Sequence, residues 1–124
     1  MKHAPRAVVL LAHGSRDPSW PAPIEGVALR MRELRPEVAV ACAFLESMQP
    51  DLAAAVHGLV ADGARHVTIV PMFLGLGRHT RQDLPQRVQD VARRHPDVVF
   101  HVQAAVSEDA RVAQLLARVA LEEP

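Results

Sequence analysis

Four short apolar segments, each followed by a longer segment with helical spacing, constrain the fold of this chain of 124 residues more than any other feature. Residues 7–12 contain no polar side chain, as is typical of a strand buried on both faces of a parallel sheet. Strands that alternate with helices run parallel, because each helix carries the chain back across one face of the sheet. We therefore predict an α/β fold, a three-layer α/β/α sandwich, with strands at residues 7–12, 38–45, 67–70 and 98–102.

Proline, glycine and small polar residues set the predicted helix ends. The predicted helices run from Ile24 to Leu34, from Pro50-Asp51 to Gly63, from about Asp83 to Arg94 with Pro85 in the first turn, and from a cap at Ser107 or Asp109 along a stripe of Val112, Leu115, Leu116 and Val119. The apolar series of the first helix is Ile24, Val27, Leu29, Met31 and Leu34. Since the pattern contains no linker, we predict one domain over residues 1–124.

The charge balance and the cysteine count argue against several classes of function. Lys plus Arg and Asp plus Glu each number 14, so no overall field attracts nucleic acid or an anionic membrane. No apolar run approaches the roughly 18 residues of a membrane span, and the apolar stretch after residues 1–7 is too short for a secretory signal. Cys42 is the single cysteine and is interpreted as a packing residue, which suits a reducing compartment. We predict a cytoplasmic protein with neither nucleic-acid nor membrane partners.

Three potential metal ligands follow three different predicted strands. His13 comes directly after the first strand, Glu46 after the second, and His79 nine residues after the third, with a spacing of 33 residues in each case. Parallel strands with right-handed crossovers bring these positions to the same edge of the sheet. Two imidazoles and one carboxylate would form an open site for a borderline divalent ion such as Co²⁺, Fe²⁺, Ni²⁺ or Zn²⁺. The alternative is that the histidines brace turns and that Glu46 is a solvated loop acid. The remaining histidines, among them His57 and His95, are interpreted as surface or packing residues.

The residues around these three positions form a set of motifs. They are Leu11-Ala-His-Gly-Ser-Arg-Asp17, Ala43-Phe-Leu-Glu46 with Pro50 soon after, and Val70-Pro-Met-Phe-Leu-Gly-Leu-Gly-Arg-His79 followed by Asp83-Leu-Pro85. In this order and spacing, over nearly the whole chain, they resemble the small cobalamin and sirohaem chelatases of the CbiX and SirB type. The proline-rich segment 18–23 departs from the usual loop of that family, and the sequence leaves open whether this changes the choice of tetrapyrrole.

The resemblance implies a chelatase-like fold that corresponds to one half of a two-lobed chelatase. It implies insertion of a divalent metal, Co²⁺ or Fe²⁺ with Ni²⁺ as a further option, into sirohydrochlorin for cobalamin or sirohaem biosynthesis. It also implies no ATP or other cofactor beyond the substrate metal, and a homodimer; the stripe of Leu115, Leu116 and Val119 fits either the dimer contact or the chain's own core. His13, Glu46 and His79 match the family's metal-binding positions and are taken as the catalytic residues. The alternatives are a metal or tetrapyrrole carrier without turnover and, less favoured, a metal-dependent hydrolase with Asp17 or Asp83 as its base.

The carboxylate arms of such a tetrapyrrole require cations and hydrogen-bond donors. Because they lie in the same predicted loops as the proposed ligands, the candidate substrate-binding residues are Ser15, Arg16, Arg78 and Arg81. The alternative is a turn serine and ordinary surface arginines. Gly14 and Gly77 are expected to permit close backbone approach or a positive φ beside the ligands.

Overall fold

The computed structural model describes residues 5–123, and its strands form one parallel sheet. In chain order the elements are β1 (Arg6–Ala12), α1 (Ala22–Leu34), β2 (Ala39–Phe44), α2 (Leu52–Ala61), β3 (His66–Pro71), α3 (Arg78–Arg94), β4 (Val99–Val102), a 3-10 turn (Val106–Glu108) and α4 (Ala110–Leu121). The strand order is β2-β1-β3-β4, and all three pairings are parallel. The predicted α/β fold with four parallel strands is confirmed.

Alternate residues of β1 face opposite sides of the sheet and divide the core into two clusters. Val9 and Leu11 pack with the buried apolar residues of α2 and α3. Val8 and Leu10 pack with the buried residues of α1. Helices therefore cover both faces of the sheet, as the three-layer prediction requires. Among residues 5–123, no helix combines the length and the apolar character that crossing a bilayer requires.

The apolar face of α1 differs from the predicted series. Ile24 and Ala28 are buried and Met31 is partly buried, which is the i, i+4, i+7 spacing of one helix face. The other members of the predicted series, Val27, Leu29 and Leu34, are exposed. The series correctly predicted a helix ending at Leu34, but its members lie on both the buried and the exposed sides of α1.

The start of α3 also differs from the prediction. The helix begins at Arg78, five residues before Asp83, and Pro85 lies inside it rather than in its first turn. Gly77 precedes the helix with ordinary extended dihedrals, φ −65° and ψ 160°. Buried apolar residues of α3 pack on the sheet, and this packing stabilises the helix across the proline, which lacks a backbone donor. His79 therefore stands in the first turn of a helix and not in a loop.

The carboxyl-terminal helix α4 leaves its apolar stripe uncovered. None of its residues is buried, and Leu115 and Val119 are 61% and 57% exposed. Its amino-terminal cap is Asp109, whose side chain accepts a hydrogen bond from the Arg111 backbone N–H at 2.8 Å. Of the two predicted caps, Asp109 is therefore confirmed and Ser107 is wrong. The stripe predicted from the sequence exists, but within this chain it does not contribute to the core.

Candidate metal and tetrapyrrole site

Main-chain hydrogen bonds continue past the ends of β1 and β2 and hold two predicted ligands side by side. The Leu45 N–H donates to the Ala12 carbonyl at 2.9 Å, and the Glu46 N–H donates to the His13 carbonyl at 3.0 Å. The parallel register therefore extends beyond the strands themselves. It places His13 and Glu46 at neighbouring positions on the carboxyl edge of the sheet, where α/β folds bind ligands.

Gly14 makes this close approach possible. Its φ is +97°, and a Cβ atom built on it would lie 1.9 Å from the Glu46 carbonyl oxygen. No side chain fits there, so the expectation of close approach and positive φ is confirmed for Gly14. The same expectation was wrong for Gly77, which has a negative φ and open space around the Cβ position.

The ring of His13 contacts a buried aromatic side chain. The centroids of the His13 and Phe73 rings are 4.3 Å apart, with their planes tilted by 36°. Phe73 follows β3 and belongs to the core cluster beneath α2 and α3. Because Phe73 is buried, this contact limits the orientations open to the His13 imidazole.

His13, Glu46 and His79 line one cavity of about 220 Å³ at the carboxyl edge of the sheet. The other lining residues are Leu45, Thr80, Asp83, Leu84 and Arg87. The α3 members recur at about every fourth position, because one face of the helix forms the cavity wall. The three predicted ligand positions thus contribute to one cavity. His13 and Glu46 reach it from loops, and His79 reaches it from α3.

The side chains of the three predicted ligands are not positioned to coordinate one ion. Within residues 5–123, no three His, Cys, Asp or Glu side chains lie close enough to one another to hold a metal ion. A shared ion would therefore require side-chain rotation or a small displacement of α3. The assignment of these residues as metal ligands stays a prediction.

The four candidate substrate-binding residues do not line this cavity. The Ser15 hydroxyl oxygen accepts a hydrogen bond from the Asp17 N–H at 3.1 Å, which is the turn geometry of the alternative interpretation. Arg81 forms an exposed ion pair with Glu108 at 3.9 Å. The expectation that Arg78 and Arg81 share a loop with His79 is wrong, since all three are in α3.

Two residues of the cavity were missed as parts of the metal and substrate site. Asp83 and Arg87 follow His79 at intervals of four residues on α3 and line the same cavity. An Arg87 guanidinium N–H donates to the Leu45 carbonyl at 3.4 Å, linking α3 to the segment that carries Glu46. The spacing of four residues was visible in the sequence and becomes informative once the helix is known to begin at Arg78.

The remaining reactive candidates are engaged in local structure. The Ser19 backbone N–H, and then its hydroxyl, donate to Asp17 and lower the pKa of that carboxyl, which does not line the cavity. Burial raises the pKa of the Cys42 thiol, and Cys42 packs against the core cluster beneath α1. The interpretation of Cys42 as a packing residue is confirmed.

Comparison with known proteins places this architecture in a family. The sequence profile of the CbiX family matches residues 7–123. The chain is a member of the CbiX family. The resemblance stated from the motifs is therefore confirmed, and it covers nearly the whole of this CbiX-family chain.

Three relatives show how far the similarity of this CbiX-family chain extends. It is 36% identical over 80 residues to a sirohydrochlorin cobaltochelatase from Methanococcus aeolicus, covering 64% of this chain and 56% of that protein. A crystal structure of a CbiX protein from Marinobacter aquaeolei superposes with a TM-score of 0.82 and 29% identity, covering 94% of both chains. SirB from Bacillus subtilis with Fe³⁺ gives a TM-score of 0.72 and 27% identity, over 96% of this chain and 48% of SirB. The chain thus spans just over half the length of the curated cobaltochelatases it matches first.

Proposed function

We propose that this protein inserts a divalent metal ion, Co²⁺ or Fe²⁺ with Ni²⁺ as a further option, into a sirohydrochlorin-type tetrapyrrole without ATP. The observation that carries the proposal is the single cavity lined by His13, Glu46 and His79 in a CbiX-family fold. The cobaltochelatase from M. aeolicus and SirB with Fe³⁺ support the same chemistry. The cytoplasm is the proposed compartment, because the single cysteine suits a reducing environment. The product would serve cobalamin or sirohaem biosynthesis.

The cavity supplies the groups that metal insertion requires. Two pyrrole N–H protons must leave as the ring nitrogens bind the ion, and the ion must lose water. Neutral imidazoles both ligate divalent ions and accept protons near physiological pH, which is the role of His13 and His79. The Glu46 carboxylate offsets part of the ion's charge as the ion leaves water. Three protein ligands leave coordination positions open for the macrocycle nitrogens.

Arg87 is the cation that lines this cavity, and we assign it to a substrate carboxylate. Within residues 5–123 its side chain donates one hydrogen bond, to Leu45, which leaves further guanidinium donors for bidentate pairing. Arg87→Ala is expected to raise the KM for the tetrapyrrole by roughly ten- to a hundredfold while kcat changes little, because a charged hydrogen bond made equally in the ground and transition states is lost.

Steady-state kinetics of Arg87→Ala beside Arg30→Ala measure this effect. Arg30 is exposed on α1 and pairs only loosely with Glu33, at 3.9 Å, so its replacement should leave KM unchanged. An unaltered KM in Arg87→Ala would refute the assignment. A weaker metal affinity with unaltered KM would instead show that Arg87 positions the Glu46 segment.

We also propose that two copies of the chain pair through α4. The exposed apolar stripe of α4 is the kind of surface that packs against another protein surface. Val99, in the edge strand β4, is exposed as well. SirB is about twice as long as the region it shares with this chain, so a second copy can supply what the other half of SirB supplies. Pairing would also give the planar macrocycle a second wall.

Light scattering tests this pairing. The native chain should have the mass of two copies, and Leu115→Glu should have the mass of one, because a buried unpaired carboxylate opposes association. Leu34→Glu, at an exposed position on α1, is the matched control and should remain dimeric. A native protein that is monomeric at assay concentrations would contradict the proposal.

An anaerobic absorbance assay tests the function itself. Sirohydrochlorin is mixed with Co²⁺, Fe²⁺ or Ni²⁺, and the visible spectrum is followed with and without the protein. The proposal requires repeated turnovers, with more metallated product than protein. Stoichiometric binding of the ion or the tetrapyrrole at the uncatalysed insertion rate would identify a carrier instead.

A further inference from the structure

A second pair of histidines lies across α2 and α3, outside the cavity described above. His57 is on α2, and His95 caps the carboxyl end of α3. Their ring centroids are 6.1 Å apart, with the planes at 39°. Both rings line a cavity of about 700 Å³, together with Asp51 and Arg94 among other residues. They lie 38 residues apart along the chain, so no sequence motif connects them.

The pair is remote from the proposed catalytic residues. His95 follows His79 by 16 residues along α3 and its cap, which corresponds to about 24 Å at 1.5 Å per residue. One ion therefore cannot contact both histidines. Any ion held by His57 and His95 occupies a site of its own.

The separation of the rings suits a shared ion. A metal–nitrogen distance of ~2.1 Å places each ring centroid about 3.2 Å from the ion. Two imidazoles on one ion then have centroids roughly 5 to 6.5 Å apart, for ligand angles from tetrahedral to linear. The observed 6.1 Å lies within this range. His57 is exposed, so its ring can rotate to direct a nitrogen at the ion.

The type of ligand, rather than the net charge around the pair, selects the kind of ion. Asp51 and Arg94 contribute opposite charges to the cavity wall, so attraction comes from the imidazole lone pairs rather than from a net field. One Asp51 oxygen accepts the Ala54 N–H at 2.9 Å, and among residues 5–123 no third His, Cys, Asp or Glu side chain is placed to join the pair as a ligand. Imidazole ligands favour borderline ions such as Zn²⁺, Co²⁺, Ni²⁺ and Cu²⁺ over Mg²⁺ and Ca²⁺.

We propose that His57 and His95 form a second, exchangeable binding site for a borderline divalent metal ion. With two protein ligands, water completes the coordination sphere and the ion can leave readily. The site would hold the class of ion that the proposed reaction consumes. The proposal stands on the histidine pair alone and does not depend on chelatase activity.

Titration of the full chain with Co²⁺ or Zn²⁺ alone tests the site. Calorimetry in the His79→Ala background, where the catalytic cavity lacks a ligand, should show one remaining ion per chain. Adding His57→Ala or His95→Ala should weaken that binding at least tenfold, and by a similar factor in each case, since neither histidine holds the ion alone. Under Zn²⁺, ¹⁵N shifts of the His57 and His95 ring nitrogens should change together.

Matched variants keep the outcome specific. His66→Ala and His101→Ala remove exposed histidines outside the pair and should leave the affinity unchanged. His95→Gln retains a polar side chain at the helix cap and should lose the ion as His95→Ala does, which separates loss of a ligand from loss of folding. Unchanged affinity in both pair variants, or an equal loss in His66→Ala, would overturn the proposal.

Discussion

Replacement of His79 by alanine is expected to lower kcat/KM for the proposed metal insertion by about 10² or more, because a proposed ligand and proton acceptor is lost. The fold should be retained, since His79 lies in the first turn of α3 and not among the buried residues of that helix. The absorbance assay with each metal measures the loss, and circular dichroism with thermal unfolding measures the fold.

His66→Ala is the control for this variant. His66 is the first residue of β3, at the amino-terminal end of the strand and away from the cavity, and it is exposed. It should keep activity within a few fold of the native protein. Native-like insertion by His79→Ala would show that His79 is neither a required metal ligand nor a required proton acceptor.

Replacement of Gly14 by alanine is expected to destabilise the protein by about 2–5 kcal/mol, since a strained φ and an overpacked contact are both introduced. The added Cβ would fall 1.9 Å from the Glu46 carbonyl, at a φ of +97°. Relief requires the Glu46 segment to move away from His13, so insertion activity should fall as well. Thermal unfolding should show a fall in Tm of about 10 °C or more.

Gly58→Ala provides the opposite expectation. Gly58 lies inside α2 with nothing within 4 Å of its Cβ position, so alanine there should stabilise the helix by up to about 1 kcal/mol. An unchanged Tm in Gly14→Ala would mean that the chain around Glu46 yields freely. The main-chain register at the sheet edge would then not be what fixes the relative positions of His13 and Glu46.

The strands and the second helix were predictable because their signals are local. Apolar runs identified the four strands to within about two residues. Asp51 caps α2 through a hydrogen bond to Ala54 at 2.9 Å, and Gly63 follows the helix with a φ of +107°. Both residue types act through their own dihedral and hydrogen-bonding preferences, which a sequence displays directly.

The start of α3 was not predictable from such signals. Pro85 is typical of a first helical turn, and it displaced the prediction toward Asp83. The true start at Arg78 depends on packing of Leu84, Val88 and Val91 against the sheet, which sequence position alone does not reveal. This error left His79 outside the predicted helix, so its four-residue spacing to Asp83 and Arg87 was not recognised as one helix face.

The exposure of α4 was undetermined for a different reason. Helical spacing identified the stripe of apolar residues in α4, and the structure reproduces the helix. Periodicity reports which side of a helix avoids water but not what covers that side. The sequence alone did not decide whether the stripe packs on the chain's own sheet or on a second chain.

The hydrogen bond between the Glu46 N–H and the His13 carbonyl divides the proposed ligands into a fixed pair and a separate member. His13 and Glu46 are linked through the main chain at the edge of the sheet, whereas His79 belongs to the amino-terminal end of α3. A small shift of that helix would change the distance from His79 to a bound ion and leave His13 and Glu46 in place. An ion would then be bound and released one bond at a time, with the bond to His79 forming last and breaking first.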